Sequence, residues 1–148
     1  MRFLLVDRII SLEPGRKAEA EKSLPISEEL FRDHFPGFPV VPGVLLIEMM
    51  GQTAAKALNA QRLPRGNAML GEVRNARFRQ WVKPDEVIRL SAEIEKNQED
   101  FAISKCQASV DGRKVGSAEL LFFFVPIKQF APEYRDEILE DFLQGMQA

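Results

Sequence analysis

From Val44 to Leu58 the chain is apolar on nearly every face of a helix: Val44, Leu45, Leu46, Ile47, Met49, Met50, Ala54, Ala55 and Leu58. A helix greasy all round is one the rest of the molecule must wrap. This asks for a layer that surrounds one helix. In its most apolar turn stands Glu48, with Gln52 one turn further along the same face. An ionised carboxylate taken out of water is heavily penalised unless it is paired or takes up a proton. A glutamic acid held protonated is a general acid. The alternatives are a solvent-filled seam or a buried lysine, with Lys56 two turns on as the obvious partner. The helix pattern alone leaves these open.

The wrapping layer is legible in what flanks the helix. Phe3 to Leu12 is apolar and ends at Glu13-Pro14-Gly15. Lys17 to Glu21 alternates charged and small residues, the period of a half-exposed strand. Ser27-Glu28-Glu29 reads as a cap and acidic first turn for one turn of helix leading to His34. The central helix ends before the breaker Leu63-Pro64-Arg65-Gly66. Val87 to Ile94 alternates cleanly, with Ile88, Leu90, Ala92 and Ile94 on one face and Arg89, Ser91 and Glu93 on the other. Phe101–Val110 and Val115–Val125 flank Asp111-Gly112, a dipeptide suited to a type I′ hairpin. Cys106 falls on the inner face with Ala108 and Val110. Leu120 to Val125 is apolar on both faces, which predicts cover on two sides, with Phe122, Phe123 and Phe124 in core and dimer packing. The fold class is α+β: an antiparallel sheet curled round one long central helix. Residues 1–125 form this domain. Residues 126–148 read as a C-terminal amphipathic helical extension of it, started by Pro132 and striped by Phe130, Tyr134, Ile138, Phe142 and Met146.

The only histidine, His34, opens a loop with three prolines and two glycines that runs into the helix. Proline fixes φ and glycine permits unusual backbone, so this loop is stiff and can aim a side chain. Gly43 and Val44 lie where the helix gathers unpaired N–H groups, a site for a developing negative oxygen.

His34-Phe35-Pro36-Gly37-Phe38-Pro39, then Pro42-Gly43-Val44, Glu48 and Gln52, resembles the 3-hydroxyacyl-[acyl carrier protein] dehydratases of type II fatty-acid synthesis, the FabZ group. The likeness extends to Phe3–Arg8, Leu12–Gly15, Ala76–Arg79 and Val110–Gly112, and leaves out about the last twenty residues. Departures are Asp33 where glycine is common, Phe38 where a basic residue is usual, and Met69-Leu70 in place of an aromatic pair. The resemblance implies the hotdog fold, a homodimer or trimer of dimers, and sites shared between two subunits. It implies His34 as base, Glu48 as acid, Gly43 and Val44 as backbone donors, and Gln52 as the residue that orients Glu48 or a water. Phe35, Met49 and Met69 are candidates to contact the acyl chain, which needs an apolar channel that adaptable methionines can line. No cofactor is implied, since the substrate rides on the phosphopantetheine of acyl carrier protein. That carrier is acidic in this family. Arg74, Arg77, Arg79 and Lys83 are candidate contacts for it, the alternative being ordinary strand-edge charge.

Composition narrows the field further. A net charge of −2 argues against general nucleic-acid or anionic-membrane binding. One cysteine and one histidine cannot assemble an ordinary zinc site and allow no internal disulfide, which fits a reducing cytoplasm. The early charges Asp7-Arg8 interrupt any signal peptide, and no apolar run is long enough to span a bilayer. Two other functions share this fold: an acyl thioesterase, and a non-catalytic acyl-thioester binding subunit of a hetero-oligomer. A serine hydrolase elbow is absent from the sequence.

Overall fold

In the computed structural model, which describes residues 1–147, one helix lies in the hollow of one sheet. The elements follow in the order β1 (Arg8–Glu13), β2 (Lys17–Lys22), α1 (Leu30–Asp33), α2 (Gly43–Asn59), β3 (Asn67–Phe78), β4 (Ile88–Asn97), β5 (Phe101–Val110), β6 (Arg113–Val125), α3 (Ile127–Phe130) and α4 (Glu137–Gln147). The six strands pair antiparallel in the order β1-β2-β4-β5-β6-β3. This is the hotdog arrangement that the resemblance implies.

Side-chain size explains how the sheet closes on the helix. Ala18, Ala92, Cys106 and Ala118 stand opposite one another across four strands, all buried. A second buried row runs Ala20, Leu90, Ala108 and Gly116. Small residues along these rows let the sheet approach α2, whose Leu46, Met49, Met50, Ala54, Ala57 and Leu58 fill the core. The outer face carries a row of alternating sign, Lys17, Glu93, Lys105, Glu119 and Arg74, each opposite the next. Opposite charges facing across strands favour this register.

The β5–β6 turn has the backbone expected of it, with φ +50° at Asp111 and +78° at Gly112. Four expectations need correction. The turn of helix before His34 starts at Leu30, and its N-cap position, Glu29, makes no side-chain cap bond. Ser27 therefore does not cap it. The expected C-terminal helix is present as α4, but it does not fill the extension or start at Pro132, which falls in a turn between α3 and α4. The apolar stripe is consequently broken, with Phe130 exposed while Ile138 and Phe142 pack on the core; the Met146 side chain lies outside the described residues. Within the single chain the end of β6 is covered on one face only: Leu120 and Phe122 are buried, and Phe123 is 52% exposed.

The fourth correction concerns α2 itself. The sheet covers most of the helix but leaves a stripe open within the single chain. Val44 is 71% exposed, and Glu48, Gln52 and Ala55 are only partly covered. Beside that stripe runs β3, the sheet's far edge, with Met69, Leu70, Val73 and Phe78 exposed.

Candidate active site

His34 sits at the C-terminal end of α1, partly buried, and its ring stacks on Phe35 with centroids 4.0 Å apart. The loop after it closes on itself: Phe35 and Phe38 exchange backbone hydrogen bonds, and Val40 N–H donates to the His34 carbonyl at 3.1 Å. The ring is oriented by the same loop, because His34 Nδ1 lies 3.1 Å from the Val40 carbonyl oxygen. A carbonyl can only accept, so this bond requires Nδ1–H. The neutral ring is then the tautomer whose free lone pair is on Nε2. The stiff loop thus aims the histidine, and also sets which nitrogen can act as a base.

Val41 N–H donates to Val82 at 2.7 Å, which ties the loop to the core before α2 begins. Pro42 occupies the N-cap and offers no side-chain acceptor. Its carbonyl takes the N–H groups of Leu45 and Leu46. The N–H groups of Gly43 and Val44, one residue into the helix, have no intrahelical carbonyl to reach. Gly43 has a steric reason as well: a Cβ there would lie 3.0 Å from the Phe78 ring.

Glu48 is held from one side. Gln52 Nε2 donates to Glu48 Oε1 at 3.2 Å and to the Phe3 carbonyl at 3.1 Å, while Gln52 Oε1 accepts the Leu5 N–H at 2.9 Å. All three bonds lock the Gln52 amide, so its orientation of Glu48 is built into the N-terminal segment. Lys56 does not pair with Glu48. Its ammonium reaches Asp136 at 2.7 Å, and both side chains are nearly buried.

Glu48, Gln52 and Met69 line one groove of about 560 Å³ on the open side of α2. His34, Phe35, Gly43 and Val44 do not line it, and Met49 is fully buried in the core. Within a single chain the groove that holds Glu48 therefore does not include His34. Of the basic candidates, Arg74 is engaged by Glu72 at 2.8 Å and faces Glu119 at 3.7 Å. The Glu72 carboxylate holds its guanidinium pKa above the ordinary value. Arg79 and Lys83 border a cleft with Trp81 and Arg113, and Arg77 lies with Arg79 on the outer sheet face.

Sequence reasoning passed over two features of the site. Trp81, 71% exposed, meets Phe38 edge to face at 4.8 Å beside that basic cleft. Tyr134 and Asp136 of the C-terminal segment line the Glu48 groove. The signal for Trp81 was present, as the chain's one tryptophan beside charged residues; nothing local marks Tyr134. Among the described residues no group of His, Cys, Asp and Glu could hold a metal ion, and no helix is long and apolar enough to cross a membrane.

Comparison with known proteins shows the family. Residues 1–119 match the family model for the FabA-like domain. The chain is 44% identical over 121 residues to the 3-hydroxyacyl-[acyl-carrier-protein] dehydratase FabZ of Ligilactobacillus salivarius, covering 81% of this chain and 86% of that protein. It is 42% identical over 121 residues to the FabZ of Latilactobacillus sakei, with the same coverage. Among solved structures, the dehydratase heterocomplex ApeI:P from Xenorhabdus doucetiae superposes with a TM-score of 0.65 at 16% identity, over 83% of this chain and 84% of that one. That last likeness concerns the fold alone. The chain belongs to the FabA-like family, among its FabZ-type 3-hydroxyacyl-[acyl-carrier-protein] dehydratases.

Proposed function

We propose that this enzyme uses His34 and Glu48 as an acid–base pair to interconvert (3R)-3-hydroxyacyl and trans-2-enoyl thioesters on acyl carrier protein. The chain is a 3-hydroxyacyl-[acyl-carrier-protein] dehydratase, a hydro-lyase of fatty-acid biosynthesis. His34 Nε2 removes a proton from C2, and Glu48 gives one to the hydroxyl leaving C3. Positioned groups of this kind each contribute about 10²–10⁴-fold. The charge that builds on the thioester oxygen is taken up by the N–H groups at Gly43 and Val44. Gln52 keeps the Glu48 carboxyl facing the groove. Holding both groups in place beforehand removes an entropic cost from the step.

The observation that carries the reading is the His34 Nδ1–H bond to the Val40 carbonyl, because it leaves Nε2 as the free base. A second copy completes the site. β3 is an unpaired edge with apolar side chains along it, and the adjoining Val44 stripe of α2 is bare. Such an edge invites strand pairing with another chain. Pairing β3 with β3 of a second copy brings one subunit's His34 towards the other's Glu48; the assembly is a homodimer or a trimer of dimers. The acyl carrier protein approaches over Arg79 and Lys83, and the enzyme works in the cytoplasm without a cofactor.

Hydration of crotonyl thioester, followed as loss of the enoyl absorbance, tests the reaction. Release of free thiol with no hydration would show a thioesterase instead. Tight acyl-thioester binding with neither activity would show a binding subunit.

A further inference from the structure

The family domain ends at residue 119, yet Tyr134 to Ile138 form a wall of the Glu48 groove. One face of α2 makes the groove's floor, running from Glu48 through Gln52 to Lys56 and Asn59. Lys56 is a buried lysine of α2, and its ammonium meets the Asp136 carboxylate at 2.7 Å. Asp136 Oδ1 also accepts the Leu139 N–H at 3.1 Å, which fixes the start of α4. The groove therefore begins at the reacting acid and ends at a charged, doubly anchored wall supplied by the extension.

We propose that the C-terminal segment closes the far end of the acyl groove and limits the enzyme to short and medium acyl chains. This rests on the dehydratase reading, which places the acyl chain beside Glu48. The eight residues from Glu48 to Lys56 advance about 12 Å along the helix. An extended chain advances about 3.3–3.6 Å per three bonds, so a tail of roughly ten bonds spans that distance. A longer tail has to push methylenes against the Lys56–Asp136 pair and the Tyr134 ring. The pair does not yield readily: it is hydrogen-bonded and nearly buried, and moving it would strand a charge.

The test compares 3-hydroxybutyryl, 3-hydroxyoctanoyl and 3-hydroxyhexadecanoyl thioesters with the full-length protein. Wild type is expected to turn over the hexadecanoyl substrate at least tenfold less efficiently than the octanoyl one, as kcat/KM. Tyr134→Ala, and separately the double change Lys56→Met with Asp136→Leu, should each raise the hexadecanoyl-to-butyryl ratio at least tenfold. Equal wild-type efficiency on octanoyl and hexadecanoyl substrates would overturn the proposal, and so would a length profile unmoved by either variant. Dissociation constants of unreactive alkyl pantetheine thioethers of the same lengths give a readout without turnover. Length-dependent binding that relaxes in the variants, with no hydration in any protein, would sink the dehydratase reading while keeping the closed groove. Butyryl turnover with an unmoved profile would do the reverse.

Discussion

Two side chains depend on the residues next to them more than on their own identity. The Val40 carbonyl that holds Nδ1 leaves Nε2 of His34 free, and the thrice-bonded Gln52 amide holds Glu48 at the groove. His34→Ala and Glu48→Gln are each expected to lower kcat by about 10²–10⁴-fold, with the fold intact by circular dichroism. Gly43→Ala places a methyl group against the Phe78 ring at 3.0 Å. On the proposed mechanism it should lower kcat more than it raises KM, since it displaces the proposed N–H donors and not the groove beside Glu48. The basic candidates separate in the same way. Arg74 is committed to Glu72 and Glu119, so Arg74→Ala should leave KM for carrier-borne substrate close to wild type. Arg79→Ala and Lys83→Ala should raise it, and more so at low salt. Cys106 shows what burial does to a titratable group. Desolvation pushes its thiol up to about 12, against a weak opposing bond from Ser104. The folded state therefore holds this proton more tightly than the unfolded chain. That stabilisation is complete below the ordinary thiol range and is lost as pH rises towards 12. Alkylation of the native protein at pH 8 should be negligible and should become rapid on denaturation.

Among the elements, α2 was readable from its nearly unbroken apolar run, and β2 and β4 from their alternation. The alternation from Ile88 to Ile94 and the Asp111-Gly112 turn reappear as β4 and the β5–β6 hairpin. The C-terminal extension was not readable in the same way. Four-residue spacing suggested one helix, but Pro132 interrupts the chain and Asp136 restarts it as α4. Spacing records which side chains align if a helix forms; it does not say where a cap begins one. The docking of α4 depends on the Lys56–Asp136 pair, whose side chains are 10% and 13% exposed. Removing one partner leaves a charge buried alone, so Asp136→Ala should cost about 3–5 kcal/mol, measured as a lower urea midpoint at unchanged m-value. The double change Lys56→Met with Asp136→Leu should recover much of that loss.

At the level of the whole molecule, the open stripe on α2 and the bare edge of β3 are the main unfinished surfaces of the chain. If a second copy finishes them, inactive His34→Ala and inactive Glu48→Gln proteins should regain activity when mixed. Random pairing would leave one intact site in each hybrid dimer, and so about a quarter of wild-type activity in an equal mixture by symmetry. Failure of any rescue after subunit exchange would place both residues of each site in one subunit.

Local chemistry in the sequence determined the central helix, the strands and their hairpin, and the stiff loop that carries the histidine. Each of those follows from neighbours a few residues apart, where hydrophobic period, proline and glycine act directly. Only the tertiary structure decided that Lys56 belongs to Asp136 rather than to Glu48, that Met49 is core while Met69 faces the groove, and that one stripe of α2 stays open. The first of those choices rests on surfaces that meet across eighty residues of chain, and side-chain pairing at that range is set by packing that no local pattern records.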